Sequence, residues 1–251
     1  MILKEIDKKT NLKKIQKYGH EAEKQMAFYL KRAFQESNDI FVINDLRIGM
    51  NDDIAQIDHL ILHRFGFIVV ESKSVTSRIS INEHGEWIRH YPKYSKGMPS
   101  PVNQGIRQIE LLKKILTVEC EHLLKKYWMS LASISKFKYD VLVAISDNGI
   151  IKRDGNNIIN EVLKADQITE KIEKLISGYA KTNNTLFSLK INCHFGDSSM
   201  GKISNSLLNS HKSKINNVVN NKIINKENFV NKASKDDVVI LKETEIKSCG
   251  K

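Results

Sequence analysis

Residues 54–73 carry two adjacent β-strand patterns, and the second pattern ends in charged side chains. The patterns cover residues 54–63 and 67–73 and are joined by His63-Arg64-Phe65-Gly66, a connection short enough to predict a hairpin. The run Phe67-Ile68-Val69-Val70 is continuously apolar, as in strands that are buried on both faces. A fold that buries this strand must also accommodate Glu71-Ser72-Lys73 at its end, which indicates either an exit to solvent or a functional site.

The register of this hairpin decides which acidic residue faces Glu71. Side chains alternate across a strand, so Glu71 and Lys73 share one face. A turn centred on Arg64 and Phe65 places Asp58 opposite Glu71, although a shift of one residue would reverse a face. Two carboxylates at that separation repel each other unless a cation lies between them, and hard oxygen ligands favour magnesium or manganese. A surface ion pair between Lys73 and either carboxylate is the alternative, and spacing alone does not separate the two.

The remaining patterns are those of an α/β protein. Apolar residues at steps of three and four predict helices over residues 21–34, 102–127 and 166–176, the last with Asp166 as N-cap, and residues 1–18 are interpreted as a lead-in helix. Strands are predicted over residues 40–48, 139–146 and 187–195, and a short hairpin over residues 78–81 and 86–91. Residues 92–101 hold all three prolines and are expected to form a loop.

Composition narrows the class of protein. The net charge of +11 favours a polyanionic partner, although a biased Lys- and Asn-rich composition would give the same charge. Three widely spaced cysteines do not form a disulfide framework, which favours a reducing cytoplasm. The chain lacks an apolar run long enough for a transmembrane helix, and its first residues lack the apolar core of a signal peptide, so no membrane is expected. After Gly201 lysine and asparagine dominate; a small helix over residues 215–223 and disorder both fit, and residues 237–242 suggest a strand.

Four motifs, in order along residues 17–116, resemble the NERD (nuclease-related) domain, a branch of the PD-(D/E)xK restriction-endonuclease-like superfamily. Gly19-His20-Glu21-Ala22-Glu23 resembles the family's G-x-x-G-E, with Ala22 at the second glycine. Gln56-Ile57-Asp58-His59 resembles its Q-I-D-H, and the strand ending in Glu71-Ser72-Lys73 resembles its apolar strand with E-x-K. Ser100-Pro101-Val102-Asn103-Gln104 resembles its N-P-x-x-Q, with Ser100 in place of asparagine.

The resemblance implies a fold and an activity. The fold is α/β, with a restriction-endonuclease-like central mixed β-sheet flanked by helices and a basic C-terminal extension. We expect a lead-in over residues 1–16, the nuclease domain over residues 17–195 and the extension over residues 196–251. The implied activity is magnesium- or manganese-dependent hydrolysis of phosphodiester bonds, with DNA favoured over RNA. The family's associations suggest phage defence.

The resemblance also implies a role for each motif residue. Asp58 and Glu71 would bind the metal directly, together with the backbone carbonyl of Ser72. Glu23 would complete the metal shell directly or through a water. Lys73 would position the nucleophilic water, and Gln104 would contact the phosphate of the scissile strand or a water of the site.

Several alternatives stay open. The chain could bind nucleic acid without cutting it, act on RNA, or serve as a scaffold whose extension recruits a protein partner; a homodimer is a further expectation. Cys249-Gly250-Lys251 resembles the opening of a C-x-x-C zinc ribbon, and we expect that the sequence ends just inside such a module. A zinc site at Cys193 and His194 is not expected.

Other side chains near the motifs have two interpretations each. His59 and His63, on a strand face with Ile57 and Ile61, form a metal pair or, as we favour, pack in the fold. His20 and Glu21 are expected on the helix surface. Trp87 and Trp128 are expected to pack rather than stack on bases. Arg78, Lys93 and Lys96 flank the predicted cleft and either grip a nucleic-acid backbone or are simply solvated.

Overall fold

The structure is a computed structural model that describes residues 1–124, 136–153, 159–183 and 194–212. The chain divides into two units, residues 1–211 and 212–251, and the fold below is that of the first. The strands are β1 (Ile2–Lys4), β2 (Ile40–Met50), β3 (Asp53–His63), β4 (Gly66–Lys73), β5 (Arg78–Ile81), β6 (Trp87–His90), β7 (Ser95–Met98), β8 (Lys138–Ile145), β9 (Ile150–Arg153) and β10 (Val162–Lys164). The α-helices are α1 (Lys14–Phe34), α2 (Pro101–Leu124), α3 (Ile168–Asn183) and α4 (Asp197–Asn209).

A mixed six-stranded sheet forms the centre, in the order β1-β2-β3-β4-β8-β10. Strands β2, β3 and β4 are antiparallel neighbours, whereas β1, β8 and β10 each pair in parallel with the strand beside them. Helices cover both faces of this sheet. The α/β fold with a mixed sheet between helices is therefore confirmed.

Alternation along β4 divides the core between the two faces of the sheet. Phe67 and Val69 pack in the cluster that contains residues of α2 and α4, and Ile68 and Val70 pack in the cluster that contains residues of α1 and the start of α3. The strand is therefore buried on both sides, as its unbroken apolar run predicts. Glu71 continues the face of Phe67 and Val69, which is the face that α2 covers.

A smaller sheet, in the order β7-β6-β5-β9, extends the fold beyond the end of β4. Its apolar side packs on the central sheet through Ile79, Ile81 and Trp87, which share a cluster with Val143 and Ile145 of β8. The sheet places its hairpin β6–β7 in the segment between the E-x-K motif and α2. The predicted hairpin of β5 and β6 is confirmed, and so is the packing role of Trp87.

Two glycines allow the close approaches on which the site depends. A Cβ at Gly66, where φ is 152°, would lie 1.9 Å from the backbone oxygen of Lys138, so only glycine fits where β4 meets β8. A Cβ at Gly105 would lie 2.5 Å from Cγ1 of Val141, so the start of α2 packs directly on β8. The second approach brings the first turns of α2 over the end of β4.

Three expectations about secondary structure are wrong. The lead-in is not a helix up to residue 18, because β1 pairs with β2 and α1 begins only at Lys14. The loop over residues 92–101 contains β7. Asp166 lies inside a 3-10 helix (Ala165–Gln167) instead of capping α3. Residues 197–209, at the start of the expected extension, form α4, which buries Met200 and Leu207.

Some expectations fall outside the described residues. They concern most of the strand over residues 187–195, the elements over 215–223 and 237–242, Trp128, Cys193 and the zinc-ribbon start at Cys249. In the part of the chain that the structure describes, no helix combines the length and apolar character needed to cross a membrane.

Candidate active site

Glu71 is the centre of the polar cluster at the end of β4. It is only 2% exposed, and its Oε1 accepts hydrogen bonds from Nζ of Lys73 at 2.5 Å and from Nε2 of Gln104 at 2.7 Å. Lys73 also donates to Oε1 of Gln104 at 3.1 Å. The structure thus brings three of the motif residues into direct contact. Because Glu71 is buried, its pairing with Lys73 is not the surface ion pair that the spacing had left open.

Gln108, which the motifs did not indicate, holds the other oxygen of Glu71. Its Nε2 donates to Oε2 of Glu71 at 3.1 Å and to the backbone oxygen of Gln56 at 2.8 Å. Gln104 and Gln108 lie one helical turn apart and so share a face of α2. That spacing is a signal that the sequence does contain. Among the described residues, Oε1 of Gln108 is buried without a hydrogen-bond partner.

Asp58 reaches the same site from β3. The ladder between β3 and β4 has the predicted register and ends with the pair of His59 and Val70, one residue before Asp58 and Glu71. Oδ2 of Asp58 accepts a hydrogen bond from the backbone nitrogen of Ser72 at 2.9 Å. Burial and the negative charges of Glu71 and Glu23 raise the pKa of Asp58 well above its ordinary value, against the weaker opposing effects of the Ser72 hydrogen bond and Lys73.

The strands deviate from regular pairing where Asp58 lies. Ile57 packs in the cluster beside α2, whereas Ile61 packs in the cluster beside α1, so strict alternation fails between them. On the neighbouring strand β2, Asp45 has a positive φ of 50°. The expectation that His59 and His63 share a face with both isoleucines is therefore wrong.

A buried chain of hydrogen bonds runs from Asn44 through His59 and orients the side chain of Ser72. Nδ2 of Asn44 donates to the backbone oxygen of Lys4 at 3.0 Å, so its Oδ1, 2.8 Å from Nδ1 of His59, must accept. His59 therefore carries its proton on Nδ1, and its Nε2 accepts from Oγ of Ser72 at 3.0 Å. Burial lowers the pKa of His59 to about 3, which keeps the ring neutral. His59 packs and orients, as favoured from the sequence, and this network defines its orienting role.

Glu23 lies near the site but is engaged by other residues. Its Oε2 accepts from Nζ of Lys9 at 2.5 Å and lies 3.3 Å from Nδ1 of His20. Burial would raise the pKa of Glu23, but Lys9 and His20 outweigh burial and lower it. Lys9 also lies 3.4 Å from Oδ2 of Asp45, so it bridges two acidic residues. His20 is buried, so its placement on the helix surface is wrong, whereas Glu21 is exposed as expected.

Comparison with known proteins bears directly on this cluster. A family model described as a nuclease-related domain, NERD, matches residues 18–145, about half of the chain. The chain belongs to the NERD family. The matched segment runs from α1 to the end of β8 and includes Glu23, Asp58, Glu71, Lys73 and Gln104. No curated protein and no solved structure matches this chain.

The donor set of this NERD domain fits a small hard cation. Magnesium binds through one or two carboxylates and keeps several waters, and Asp58 with Glu71 supplies two carboxylates. Burial is the main cause of the raised pKa of Asp58 and the charge of Glu71 adds to it; a cation between the two carboxylates would relieve the second effect. Within the described ranges, no group of three or more His, Cys, Asp and Glu side chains has the geometry of a metal site, and the carboxylate of Glu23 is engaged by Lys9 and His20.

The remaining candidates are not part of the cluster. His63 stacks on Tyr179 with ring centroids 6.1 Å apart, so the pair of metal-binding histidines does not form. Arg78, Lys93 and Lys96 are exposed on the smaller sheet or the turn beside it. Arg89, which the sequence analysis did not single out, donates from Nη2 to the backbone oxygen of Ser74 at 2.7 Å, directly after the E-x-K motif.

Proposed function

We propose that this NERD domain is a metal-dependent nuclease that hydrolyses phosphodiester bonds, with DNA preferred to RNA. The observation that carries the proposal is the convergence of Asp58 and Glu71 beside the ammonium group of Lys73, at the end of a strand that is otherwise entirely apolar. Burial and nearby negative charges raise the pKa of Asp58 despite its hydrogen bond from Ser72, so keeping this carboxylate charged costs free energy, and groups perturbed in this way cluster at functional sites.

Asp58, Glu71 and the backbone carbonyl of Ser72 would hold magnesium or manganese, and Glu23 would reach it directly or through a water. When bound, the ion would supply Lewis acidity and neutralise charge at the phosphate under attack. In the structure, Oε1 of Glu71 is engaged by Lys73 and Gln104. These two donors would therefore reorient when the carboxylate turns to a cation, and both would become available to the substrate.

Lys73 and Gln104 are placed to act on a water and a phosphate. The ammonium group of Lys73 donates hydrogen bonds and carries positive charge, so it can orient an attacking water and stabilise charge that develops on the phosphoryl oxygens. The side-chain amide of Gln104 can donate to a phosphate oxygen. Both act from fixed positions, because Lys73 ends β4 and Gln104 lies in the first turn of α2.

A groove beside these residues offers room for a strand of nucleic acid. It has a volume of about 460 Å³ and is lined by β3 and α2, with Gln56, Gln104, Arg107, Gln108 and Lys114 among its polar residues. Arg107 and Lys114 are exposed and lie two helical turns apart on α2, and the acidic residues Asp53 and Glu110 line the same groove, so its charged residues balance. The net charge of +11 strengthens attraction to a polyanion in a salt-dependent manner.

The decisive experiment measures cleavage by the full chain. Plasmid DNA, DNA oligonucleotides and RNA oligonucleotides are incubated with magnesium, manganese or EDTA, and product is quantified on gels. We expect cleavage only with metal, and a loss of about 100-fold or more in Asp58→Asn, Glu71→Gln and Lys73→Met. Glu170→Gln and Lys174→Met are matched controls, because they form an exposed ion pair on α3.

The outcomes separate the alternatives. Equal activity of wild type and all three site variants would assign the cleavage to a contaminant and reject the proposal. Salt-dependent binding without metal-dependent turnover would indicate a binding module with a nuclease-like fold. Faster cleavage of RNA than of DNA would leave the catalytic assignment in place and correct the substrate.

A further inference from the structure

The β6–β7 hairpin has the composition of a nucleic-acid contact. Residues 87–100 hold three cationic side chains, Arg89, Lys93 and Lys96, two tyrosines, and no aspartate or glutamate. Strand β7 forms one edge of the smaller sheet. Lys93, Tyr94 and Lys96 are all exposed. Positive charge interleaved with exposed aromatic rings is the pattern of surfaces that hold single strands.

The tyrosines form a fixed stack at the hairpin turn. The rings of Tyr91 and Tyr94 lie 4.6 Å apart with an interplanar angle of 20°. The backbone nitrogen of Tyr91 donates to the oxygen of Tyr94 at 2.8 Å, which closes the turn. Tyr94 is nevertheless 60% exposed, so its outer face is available for a further flat ring. Arg89 extends the stack through a cation–π contact, because its guanidinium carbon lies 5.4 Å from the ring centre of Tyr91.

Arg89 connects this stack to the candidate active site. Its Nη2 donates at 2.7 Å to the backbone oxygen of Ser74, the residue that follows Lys73. Arg89 pairs across the hairpin with Lys96, and cross-strand partners share a face. That face also carries Trp87, which packs in one cluster with Val75. The aromatic and cationic surface is therefore tied to the end of β4, where the carboxylates meet.

We propose that the β6–β7 hairpin holds an unpaired segment of the substrate strand beside the cleavage site, with one base stacked on Tyr94 and neighbouring phosphates on Lys93 and Lys96. The proposal rests on the proposed function, because the strand it holds is the one to be cut. Inside a duplex both faces of a base are covered by its neighbours, so a protein ring stacks only on an unpaired or terminal base. The substrate class is therefore DNA with unpaired nucleotides, such as frayed ends, flaps or gaps.

Binding is tested with the wild-type full chain in EDTA, so that no cleavage interferes. A single-stranded oligonucleotide and its duplex, each labelled for fluorescence anisotropy, are titrated in parallel, and a single strand containing 2-aminopurine reports stacking through quenching. We expect tighter binding of the single strand, and for Tyr94→Ala a loss of about tenfold together with the quenching. Tyr94→Phe keeps the ring and should retain both. Tyr18→Ala is the matched control, because Tyr18 is also exposed, at 49%, but lies on α1.

The lysines are tested separately from the ring. The double variant Lys93→Gln and Lys96→Gln should weaken binding of every sequence to a similar extent and reduce the slope of log affinity against log salt by about 1.4, since each phosphate neutralised on a single strand contributes about 0.7. Wild-type affinity in Tyr94→Ala, or equal binding of duplex and single strand by the wild type, would overturn the inference. Unchanged salt dependence in the lysine variant would contradict the phosphate contacts proposed for Lys93 and Lys96.

Cleavage assays distinguish this inference from the proposed function. If the wild type cuts forked DNA faster than the blunt duplex, and Tyr94→Ala abolishes the difference without abolishing cutting, both hold. If stacking on Tyr94 is observed but no substrate is cut in any metal, the hairpin surface stands and the nuclease assignment fails. If DNA is cut equally well in both forms by wild type and Tyr94→Ala, the nuclease assignment stands and the inference fails.

Discussion

At the level of single residues, Asp58 is held where its charged form is disfavoured. Burial, Glu71 and Glu23 all raise its pKa above the ordinary carboxyl value of 3.8. A native state that binds a proton more tightly than the unfolded chain loses stability as the pH rises from that ordinary value through the raised one. In the absence of metal, the Asp58 carboxylate therefore destabilises the fold at neutral pH.

Replacing Asp58 by asparagine should make the metal-free protein more stable. The amide oxygen of Asp58→Asn can still accept the hydrogen bond from the backbone of Ser72, while the repulsion disappears. Urea unfolding in EDTA should give a higher midpoint for the variant at pH 7.5, and the gain should vanish as the pH falls below about 4. Added magnesium should stabilise only the wild type, since a ligand stabilises the state that binds it. A variant less stable than wild type in EDTA would contradict the assigned repulsion.

His59 is the opposite case, a neutral buried side chain on which the fold depends. Leucine at this position would leave Oδ1 of Asn44 and Oγ of Ser72 without their partner. We expect His59→Leu to lower the free energy of unfolding at pH 7.5 by about 2 kcal/mol or more, since each unpaired buried group costs about 1–3 kcal/mol. The exposed histidine variant His84→Leu serves as control and should change little.

The same substitution predicts a pH dependence. The pKa of His59 is about 3 in the fold against 6.5 in the unfolded chain, so the stability that depends on its neutral ring is complete above about pH 6.5. That stability is lost as the pH falls from 6.5 towards 3. The difference between wild type and His59→Leu in urea unfolding should therefore shrink on acidification, and a difference that stays constant from pH 7.5 to 4.5 would contradict it.

At the level of elements, the sequence carried most information where periodicity and turns are local. The hairpin of β3 and β4 has the predicted register, because an unbroken apolar strand and a short connection leave few alternatives. Strands β1 and β7, of three and four residues, are too short to show a period. Helix α4 was missed because two buried residues, Met200 and Leu207, lie in a segment dominated by polar side chains.

Contacts between distant segments were beyond the sequence. Nothing local to Lys9 indicates that it reaches Glu23 and Asp45, since that contact brings the segment before α1 beside both α1 and β2. The same holds for the hydrogen bond of Asn44 to His59. The motif residues Glu71, Lys73 and Gln104 could be grouped in advance, whereas the residues that hold them in place could not.

The approach of α2 to β8 offers a test at this scale. Alanine at Gly105 would place its Cβ 2.5 Å from Cγ1 of Val141, so α2 must shift or Val141 must change rotamer. We expect Gly105→Ala to destabilise the protein by about 1–3 kcal/mol, measured by urea unfolding, and to lower cleavage because Gln104 and Gln108 move with the helix. Gly178→Ala on α3 is the control, since nothing lies within 4 Å of its Cβ, and a gain in stability is expected there. Equal effects of the two substitutions would show that α2 is not held in place by this contact.

At the level of the whole molecule, the structure shows how far the folded unit extends into the expected C-terminal extension. The expected C-terminal extension begins at residue 196, but Leu207 of α4 is buried in the central core. The first compact unit extends to His211. Residues 213–251 hold eight lysines and five acidic residues, so their removal leaves a protein that is still basic.

Two shortened chains should therefore behave differently. A chain ending at Lys212 should unfold within about 1 kcal/mol of the full chain, because it keeps the whole of α4, and should cleave with similar rate at low salt. A chain ending at Met200 loses Leu207 from the core and should be destabilised by about 2–5 kcal/mol or fail to fold. Binding of DNA by the longer of the two should weaken slightly and depend less steeply on salt, since fewer phosphates are neutralised. If the chain ending at Lys212 instead folds normally but no longer cleaves, residues 213–251 contribute to catalysis itself, and the site at the end of β4 is incomplete without them.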